Sequence, residues 1–163
     1  EGERPTMSDW ADHLTTVFPE VRLKKFIEMR GADGGPWGNL CALPALWVGL
    51  LYDAEALDAA ESLISGWSVD EITALRDQVP KTALKTPFRE GTLNDVAEDV
   101  LRIARLGLRN RNCIRTGNQL DERQYLDPLD SIVKSGQTFA EDLLEAYETR
   151  WQDISEIYEE CRY

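Results

Sequence analysis

A carboxylate and a guanidinium lie two residues apart near the start of this chain, as Glu28 and Arg30. They end a run of extended-chain character from Val21 to Arg30, and glycines follow at positions 31, 34 and 35. Side chains two apart on a strand point the same way, so Glu28 and Arg30 are predicted to share a face. With glycines that let a ligand approach the backbone, this pair suits a site for phosphate and a divalent cation. The alternative is an ordinary salt-bridged pair on a solvated sheet.

Three further residues near this run are candidate substrate contacts. Arg22 lies an even number of residues from Glu28, so it falls on the same face and could bind a carboxylate or phosphate, or else pair with Glu20 on the surface. His13, the one histidine of the chain, is either a substrate contact or a packing or capping residue. Trp37 stands at a predicted helix start and either walls a substrate pocket or packs into a core.

Helices must supply most of the framework around these residues. Apolar periodicity and capping pairs such as Ser68 with Glu71 indicate a helix-rich chain. The predicted helices run from Ser8 to Val17, from Gly38 to Tyr52, over residues 55 to 65, from Ser68 to Gln78, from Thr92 past Ala104, and from Thr138 to Trp151. The helix from Gly38 is apolar on nearly every side and should be buried. Residues 110 to 121 are expected to form a polar loop.

Only the run from Val21 to Arg30 has the pattern of a strand, so the fold class is α+β and helix-rich. A single strand cannot form a sheet, and its exposed edges must pair with strands outside this chain. The isolated chain is therefore expected to oligomerise, to aggregate or to be poorly ordered over residues 1 to 36.

Composition excludes several classes of function. The 163 residues carry a formal net charge of −12, which argues against nucleic acid as a partner because phosphate neutralisation needs clustered Lys and Arg. Lys81, Lys85 and Arg89 form a basic cluster in the sequence, where a solvated loop is expected, with a structural or nucleotide-proximal role as the alternative. The longest uncharged run, Leu40 to Tyr52, is too short to cross a membrane, and no leader pattern precedes it, so no membrane partner is expected.

The cysteines indicate a compartment. Cys41, Cys113 and Cys161 are odd in number and widely spaced, with no CxxC pair. Reduced thiols and a cytoplasmic location are therefore predicted.

The chain resembles the glutamate–cysteine ligase family of the plant and proteobacterial type. Four segments carry the resemblance: Asp12 to Trp37, Leu40 to Asp53, Val79 to Arg89, and Gly136 to Glu141. It extends from about Ser8 to near the end of the chain and weakens over residues 109 to 130. The resemblance implies that residues 1–163 are a C-terminal fragment of a larger catalytic domain, in which 1–36 hold the first helix, the strand and the glycine turn and 37–163 form a helical region.

The resemblance also implies an activity and roles for particular residues. The family uses ATP to join the γ-carboxylate of L-glutamate to the amine of L-cysteine through a γ-glutamyl phosphate, the first step of glutathione biosynthesis. In the wider group that includes glutamine synthetase, a strand bearing Glu-x-Arg lies in the active site. By that resemblance, Glu28 is expected to ligate Mg²⁺ and Arg30 to face the transferred phosphoryl group, in a glutamine-synthetase-like fold whose antiparallel sheet comes mostly from the missing N-terminal part.

Two alternatives remain open at this point. A related carboxylate–amine ligase could use another acceptor amine, because the acceptor pocket would lie largely outside this chain. A helical module that binds a partner without catalysis is the other alternative. The fragment alone is expected to be inactive in either case.

Overall fold

The computed structural model describes residues 4–114 and 121–162, which divide between Gly34 and Gly35 into two compact units. Residues 115–120 of the predicted polar loop lie outside the described residues. The helix-rich α+β class is confirmed: helices dominate, and there are two small antiparallel sheets.

The first unit begins with a helix, α1 (Met7–Leu14). Its N-cap is Thr6, not Ser8 as predicted, because the Thr6 hydroxyl and the Asp9 carboxylate cap each other's backbone amides in a capping box. The helix also ends at Leu14 rather than at Val17, where the hydroxyls of Thr15 and Thr16 bond back to carbonyls of the last turn.

The predicted single strand is in fact a hairpin. β1 (Val21–Leu23) and β2 (Ile27–Met29) pair antiparallel, with Val21 opposite Met29 and Leu23 opposite Ile27. Three residues, 24 to 26, make the turn, and the Lys24 amide donates to the Phe26 carbonyl at 2.9 Å. The prediction was wrong because this turn contains none of the glycine, asparagine or proline residues that normally mark one.

The second unit contains the remaining elements. Its helices are α2 (Trp37–Leu51), α3 (Ala54–Ile64), α4 (Val69–Thr82), α5 (Leu93–Arg111), α6 (Asp127–Ser135), α7 (Phe139–Thr149) and α8 (Ile157–Glu160). A two-residue loop joins β3 (Pro87–Phe88) to β4 (Gly91–Thr92) in a second hairpin. Short 3₁₀ helices span Ala83–Lys85, Glu122–Leu126 and Ile154–Glu156. The capping boxes at Ser68, Thr92 and Thr138 are confirmed. The end of this helix predicted at Gln78 is wrong, because α4 continues through Pro80 to Thr82.

The core of this unit forms where α2 crosses α5. Ile103, Ala104 and Leu108 of α5 are buried there with Leu126 of the second 3₁₀ turn. The crossing depends on Gly49 and Gly107: a Cβ on Gly107 would lie 1.9 Å from the Gly49 carbonyl oxygen. The backbones approach so closely that neither position has room for a side chain.

Helix α2 is buried on one side only, in contrast to its prediction as a fully buried helix. Ala42, Ala45 and Leu50 are buried, whereas Leu40 is 42% exposed and Trp37 is 75% exposed. No helix in the described part of the chain is by itself both long and apolar enough to cross a bilayer; α2 and α3 meet those criteria only as a pair, bent by 91°.

The segment around Lys81, Lys85 and Arg89 was predicted to be a solvated loop; all three side chains are exposed, but two of them are held by ion pairs. Arg89 donates to the Glu71 carboxylate at 2.8 Å and to the Gly66 carbonyl, and Lys85 donates to Glu141 at 2.9 Å. Thr86 and Phe88 between them are buried. Arg89 and Lys85 therefore tie this segment to α4 and α7 through ion pairs, whereas Lys81 lies exposed in α4.

Candidate functional site

The hairpin of the first unit brings a cation and a carboxylate together. Its register places Arg22 directly opposite Glu28, and Arg22 Nε donates to Glu28 Oε2 at 2.7 Å. Both side chains are half-buried. They share a face, as predicted, but because they form a cross-strand pair rather than because of even spacing along one strand.

Arg22 sets the charge state of Glu28. The pKa of Glu28 is held below its ordinary value, first because it accepts the hydrogen bond from Arg22 and also because of the charges of Arg22, Lys24 and Arg30. Partial burial acts in the opposite direction and does not prevail. Glu28 is therefore a carboxylate at neutral pH, with Oε2 engaged by Arg22 and Oε1 accepting no hydrogen bond from any residue described.

Arg30 is held at the end of the hairpin. Its amide donates to the Glu20 carbonyl at 2.8 Å, and its guanidinium carbon lies 5.0 Å from the centre of the Phe18 ring. One terminal nitrogen, Nη1, is buried without a hydrogen-bond partner among the described residues. A buried guanidinium donor with no acceptor is costly, so this nitrogen is suited to an anionic ligand.

The other two predicted contacts lie in helices: His13 is in α1 of the first unit, and Trp37 is in α2 of the second. The His13 ring lies 5.8 Å from that of Trp10 in α1, and its backbone carbonyl accepts from Thr16. Trp37 is the first residue of α2 in the second unit and is largely exposed, so packing into a core is not its role within that unit.

Sequence reasoning missed Phe18. An aromatic residue twelve positions before an arginine carries no recognisable signal, and only the return of the chain through Glu20 brings the two together. The Arg22–Glu28 ion pair was missed for the same reason, because it depends on the turn at residues 24 to 26.

The first unit has an unusual burial pattern. None of residues 4–34 is buried, and the half-buried ones are Pro19, Arg22, Glu28, Met29 and Arg30. The large apolar side chains are the exposed ones: Phe18 is 75% exposed, Leu23 80% and Ile27 60%. Three charged side chains are thus half-buried while most of the large apolar ones are exposed, the reverse of a unit that folds around its own core.

The described residues do not form a metal centre by themselves. No group of three or more His, Cys, Asp or Glu side chains that could hold a metal ion occurs within residues 4–114 and 121–162. Glu28 offers one carboxylate, and Mg²⁺ needs more oxygen ligands than that. Cys41, Cys113 and Cys161 are all free thiols.

The comparison with known proteins decides the family. A family model described as glutamate-cysteine ligase family 2 matches residues 1–160. The chain belongs to this family. The resemblance stated from the sequence is therefore confirmed over nearly the whole chain, including the residues of the hairpin.

Individual relatives agree with the family. The chain is 50% identical to glutamate–cysteine ligase A, chloroplastic, of Oryza sativa subsp. indica, and 52% identical to glutamate–cysteine ligase, chloroplastic, of Arabidopsis thaliana. Each match covers 99% of this chain but only 32% and 30% of the relatives. The chain thus spans about a third of the length of the curated relatives it matches.

The names of these relatives contradict the predicted cytoplasmic location. A cytoplasmic location was expected from the reduced thiols, but the relatives from rice, Arabidopsis and tomato are all chloroplastic enzymes. Three unpaired cysteines indicate a reducing compartment and do not distinguish one such compartment from another.

Proposed function

We propose that the protein to which this chain belongs is a glutamate–cysteine ligase that joins the γ-carboxylate of L-glutamate to the amine of L-cysteine at the expense of ATP. The observation that carries the proposal is identity of about half the residues with glutamate–cysteine ligases along the entire chain. The chemistry proceeds in two balanced steps. The carboxylate takes the γ-phosphoryl group of ATP and releases ADP; the amine then attacks the acyl carbon, phosphate leaves, and the amine loses a proton.

Arg30 binds the phosphoryl group in this proposal. The first step brings the carboxylate of glutamate and the triphosphate together, and a fixed cation lowers their repulsion. The unpartnered Nη1 of Arg30 supports this role, since a phosphate oxygen would supply the missing acceptor. The Phe18 ring and the Glu20 carbonyl orient Arg30 before substrate binds.

Glu28 supplies one ligand for Mg²⁺, and the remaining ligands come from the rest of the protein. When bound, the metal neutralises phosphate charge. Arg22 has two effects in this arrangement: it keeps Glu28 ionised and it fixes the orientation of the carboxylate, leaving Oε1 available. Arg22 therefore positions Glu28, and His13 and Trp37 remain proposed substrate contacts.

The remaining part of the same enzyme is the partner of the first unit. Its apolar side chains are exposed and need to be covered by other residues. Its sheet has two strands, with no third described strand paired to them, so its edges need strands from elsewhere. The hairpin joins the antiparallel sheet of a glutamine-synthetase-like fold. The 163-residue chain alone is inactive because it holds too few metal ligands and lacks the rest of that sheet.

Product analysis tests the activity and the acceptor together. The intact protein is incubated with ATP, Mg²⁺ and L-glutamate, with L-cysteine, glycine or histidine in turn, and the peptide product is identified by mass spectrometry. γ-Glutamylcysteine with stoichiometric ADP is the expected result. A γ-glutamyl product formed with another amine in preference to cysteine would move the protein to a different ligase, and no product with any amine would contradict the proposal.

A further inference from the structure

Helix α2 exposes an apolar stripe along its whole length. Four exposed apolar side chains form this stripe: Trp37, Leu40, Pro44 and Leu51. They are spaced by three, four and seven residues, which places them on one side of the helix. The buried residues Ala42, Ala45 and Gly49 lie on the other side, where α2 crosses α5. We call the four exposed residues the α2 stripe.

The outer side of α2 lacks the charges that a helix facing water carries. No charged residue occurs between Trp37 and Tyr52. Helix α5, the other member of the crossing, has only polar and charged residues exposed: Asp95, Glu98, Arg102, Arg109 and Asn110. Two helices that pack on each other thus have opposite outer surfaces. That of α5 suits solvent, whereas that of α2 suits an apolar partner.

The rest of the enzyme is available as that partner. The chain covers 32% and 30% of two glutamate–cysteine ligases that it matches, so about two thirds of such a protein lies outside it. Only Gly35 and Pro36 separate the first unit from the start of α2. A part of the enzyme that covers the first unit, as proposed above, is therefore close in sequence connection to the α2 stripe.

Other occupants fit the stripe less well. Helices that lie on membrane surfaces carry Lys and Arg beside their apolar face, whereas α2 has none and acidic residues follow it: Asp53, Glu55, Asp58 and Glu61. A second copy of this chain would bring together two surfaces from molecules of the same sign, each with a formal net charge of −12.

We propose that the α2 stripe is a docking surface for an apolar face of the part of the same enzyme that lies outside residues 1–163. The proposal rests on the proposed function for the existence of that part, and it extends the interface from the first unit to the second. Helix α2 then lies between two layers of the enzyme. It is apolar on nearly every side because it is covered on nearly every side.

Photo-cross-linking of the intact protein tests this docking. The photoreactive residue p-benzoylphenylalanine replaces Leu40 or Leu51 of the stripe, and Arg102 in the matched control, since Arg102 is exposed on the charged side of α5. After irradiation, mass spectrometry identifies the joined peptides, and denaturing gel electrophoresis separates products of one molecule from those of two. Both α2 positions are expected to join segments of the same molecule outside residues 1–163. The control is expected to give no such product.

Hydroxyl-radical footprinting of the unsubstituted protein is a second measurement, which does not depend on a variant folding. Leu40 and Leu51 should be oxidised far more slowly, relative to the urea-unfolded protein, than their exposed fractions of 42% and 38% in this chain account for. Oxidation in proportion to those fractions would contradict the proposal, because the stripe would then face solvent in the intact enzyme.

Four cross-linking results would also overturn the proposal. These are no product at either α2 position, products that join two molecules, products that stay within residues 1–163, and equal yields at Arg102 and the stripe. Neither readout involves turnover, so the docking can fail while the ligase activity is present, and the activity can fail while the docking is present.

Discussion

Arg22 acts on Glu28 through one short hydrogen bond and one charge. The hydrogen bond of 2.7 Å occupies Oε2, and the charge of Arg22 keeps the carboxylate ionised. Oε1 is therefore left as a hard, negatively charged oxygen. A lysine at position 22 would keep the charge but not the directed Nε contact of a guanidinium. In the proposed role of Glu28 as a metal ligand, the geometry of the pair matters as well as its charge, because it orients the carboxylate.

Glu71 is a second carboxylate whose interactions should make the stability of the fold depend on pH in the acid range. Its pKa is lowered to about 2, chiefly by the hydrogen bond from Arg89 and further by Ser68. A carboxyl whose pKa is lower in the folded state stabilises the fold above its ordinary value of 4.5, and this stabilisation is lost as pH falls from there towards 2.

Replacing Arg89 with glutamine should therefore raise the pKa of Glu71 and flatten the loss of unfolding free energy between pH 4.5 and about 2. Carbon-detected NMR titration of the Glu71 carboxyl and urea unfolding across this range measure the two effects. Lys81→Gln, which removes a charge without touching Glu71, is the control. An unchanged pKa in Arg89→Gln would show that Ser68 alone holds the carboxylate.

At the residue scale, sequence could identify candidates but not partners. Glu28 and Arg30 were found because their spacing is local. The contacts that orient them, from Arg22 across the hairpin and from Phe18 beyond it, depend on where the chain turns, and an unmarked turn gives no local signal.

At the crossing of α2 over α5, the second unit has no room for a larger residue in place of glycine. The Gly107→Ala substitution would place a Cβ 1.9 Å from the Gly49 carbonyl oxygen and 3.0 Å from the Ala56 Cβ. Since the contact is with backbone, the helices must separate, and destabilisation of about 3 kcal/mol is expected. Urea unfolding should report a lower midpoint with an unchanged slope.

Gly66→Ala is the matched control for this substitution. The nearest atoms to a Cβ at Gly66 belong to Arg89 at 3.7 Å, an ordinary contact, so its effect should stay within about 0.5 kcal/mol. Equal midpoints for the two variants would mean that α2 and α5 do not approach as closely as the structure has them.

Helix positions were largely predictable and strand positions were not. Capping boxes at Ser68, Thr92 and Thr138 are local patterns with one structural meaning, and all three start helices. The hairpin failed as a prediction because a run from Val21 to Arg30 contains two short strands and an unmarked turn. Pro80 lies inside α4 although it cannot donate a backbone hydrogen bond to the preceding turn.

The whole chain divides into one unit with a core of its own and one without. Residues 35–162 bury Leu108, Leu126 and Ile103, whereas residues 4–34 bury none of their residues. In the proposed function, the apolar side chains of residues 4–34 are covered by the part of the enzyme outside this chain, which spans about a third of the length of its relatives.

In the isolated 163-residue chain, the rate of amide hydrogen exchange should therefore differ between the two units. Amides of α5 should be protected, and those of residues 7–29 should exchange within seconds, because none of the described residues of the first unit is buried. In the intact protein the same amides should be slow. Strong protection of the hairpin in the isolated chain, together with a monodisperse monomer, would contradict the account of the first unit.

Cysteine-dependent ADP release by the intact protein tests whether the hairpin of the first unit forms part of the ligase active site, as we propose. Arg30→Gln is compared with Lys25→Gln, which removes an exposed charge from the turn of the same hairpin. We expect kcat to fall by at least about 100-fold in Arg30→Gln, because the variant loses a hydrogen-bond donor to the negative charge that develops in the transition state. Lys25→Gln should turn over at a near-normal rate. Equal turnover in both variants would remove the hairpin from the active site.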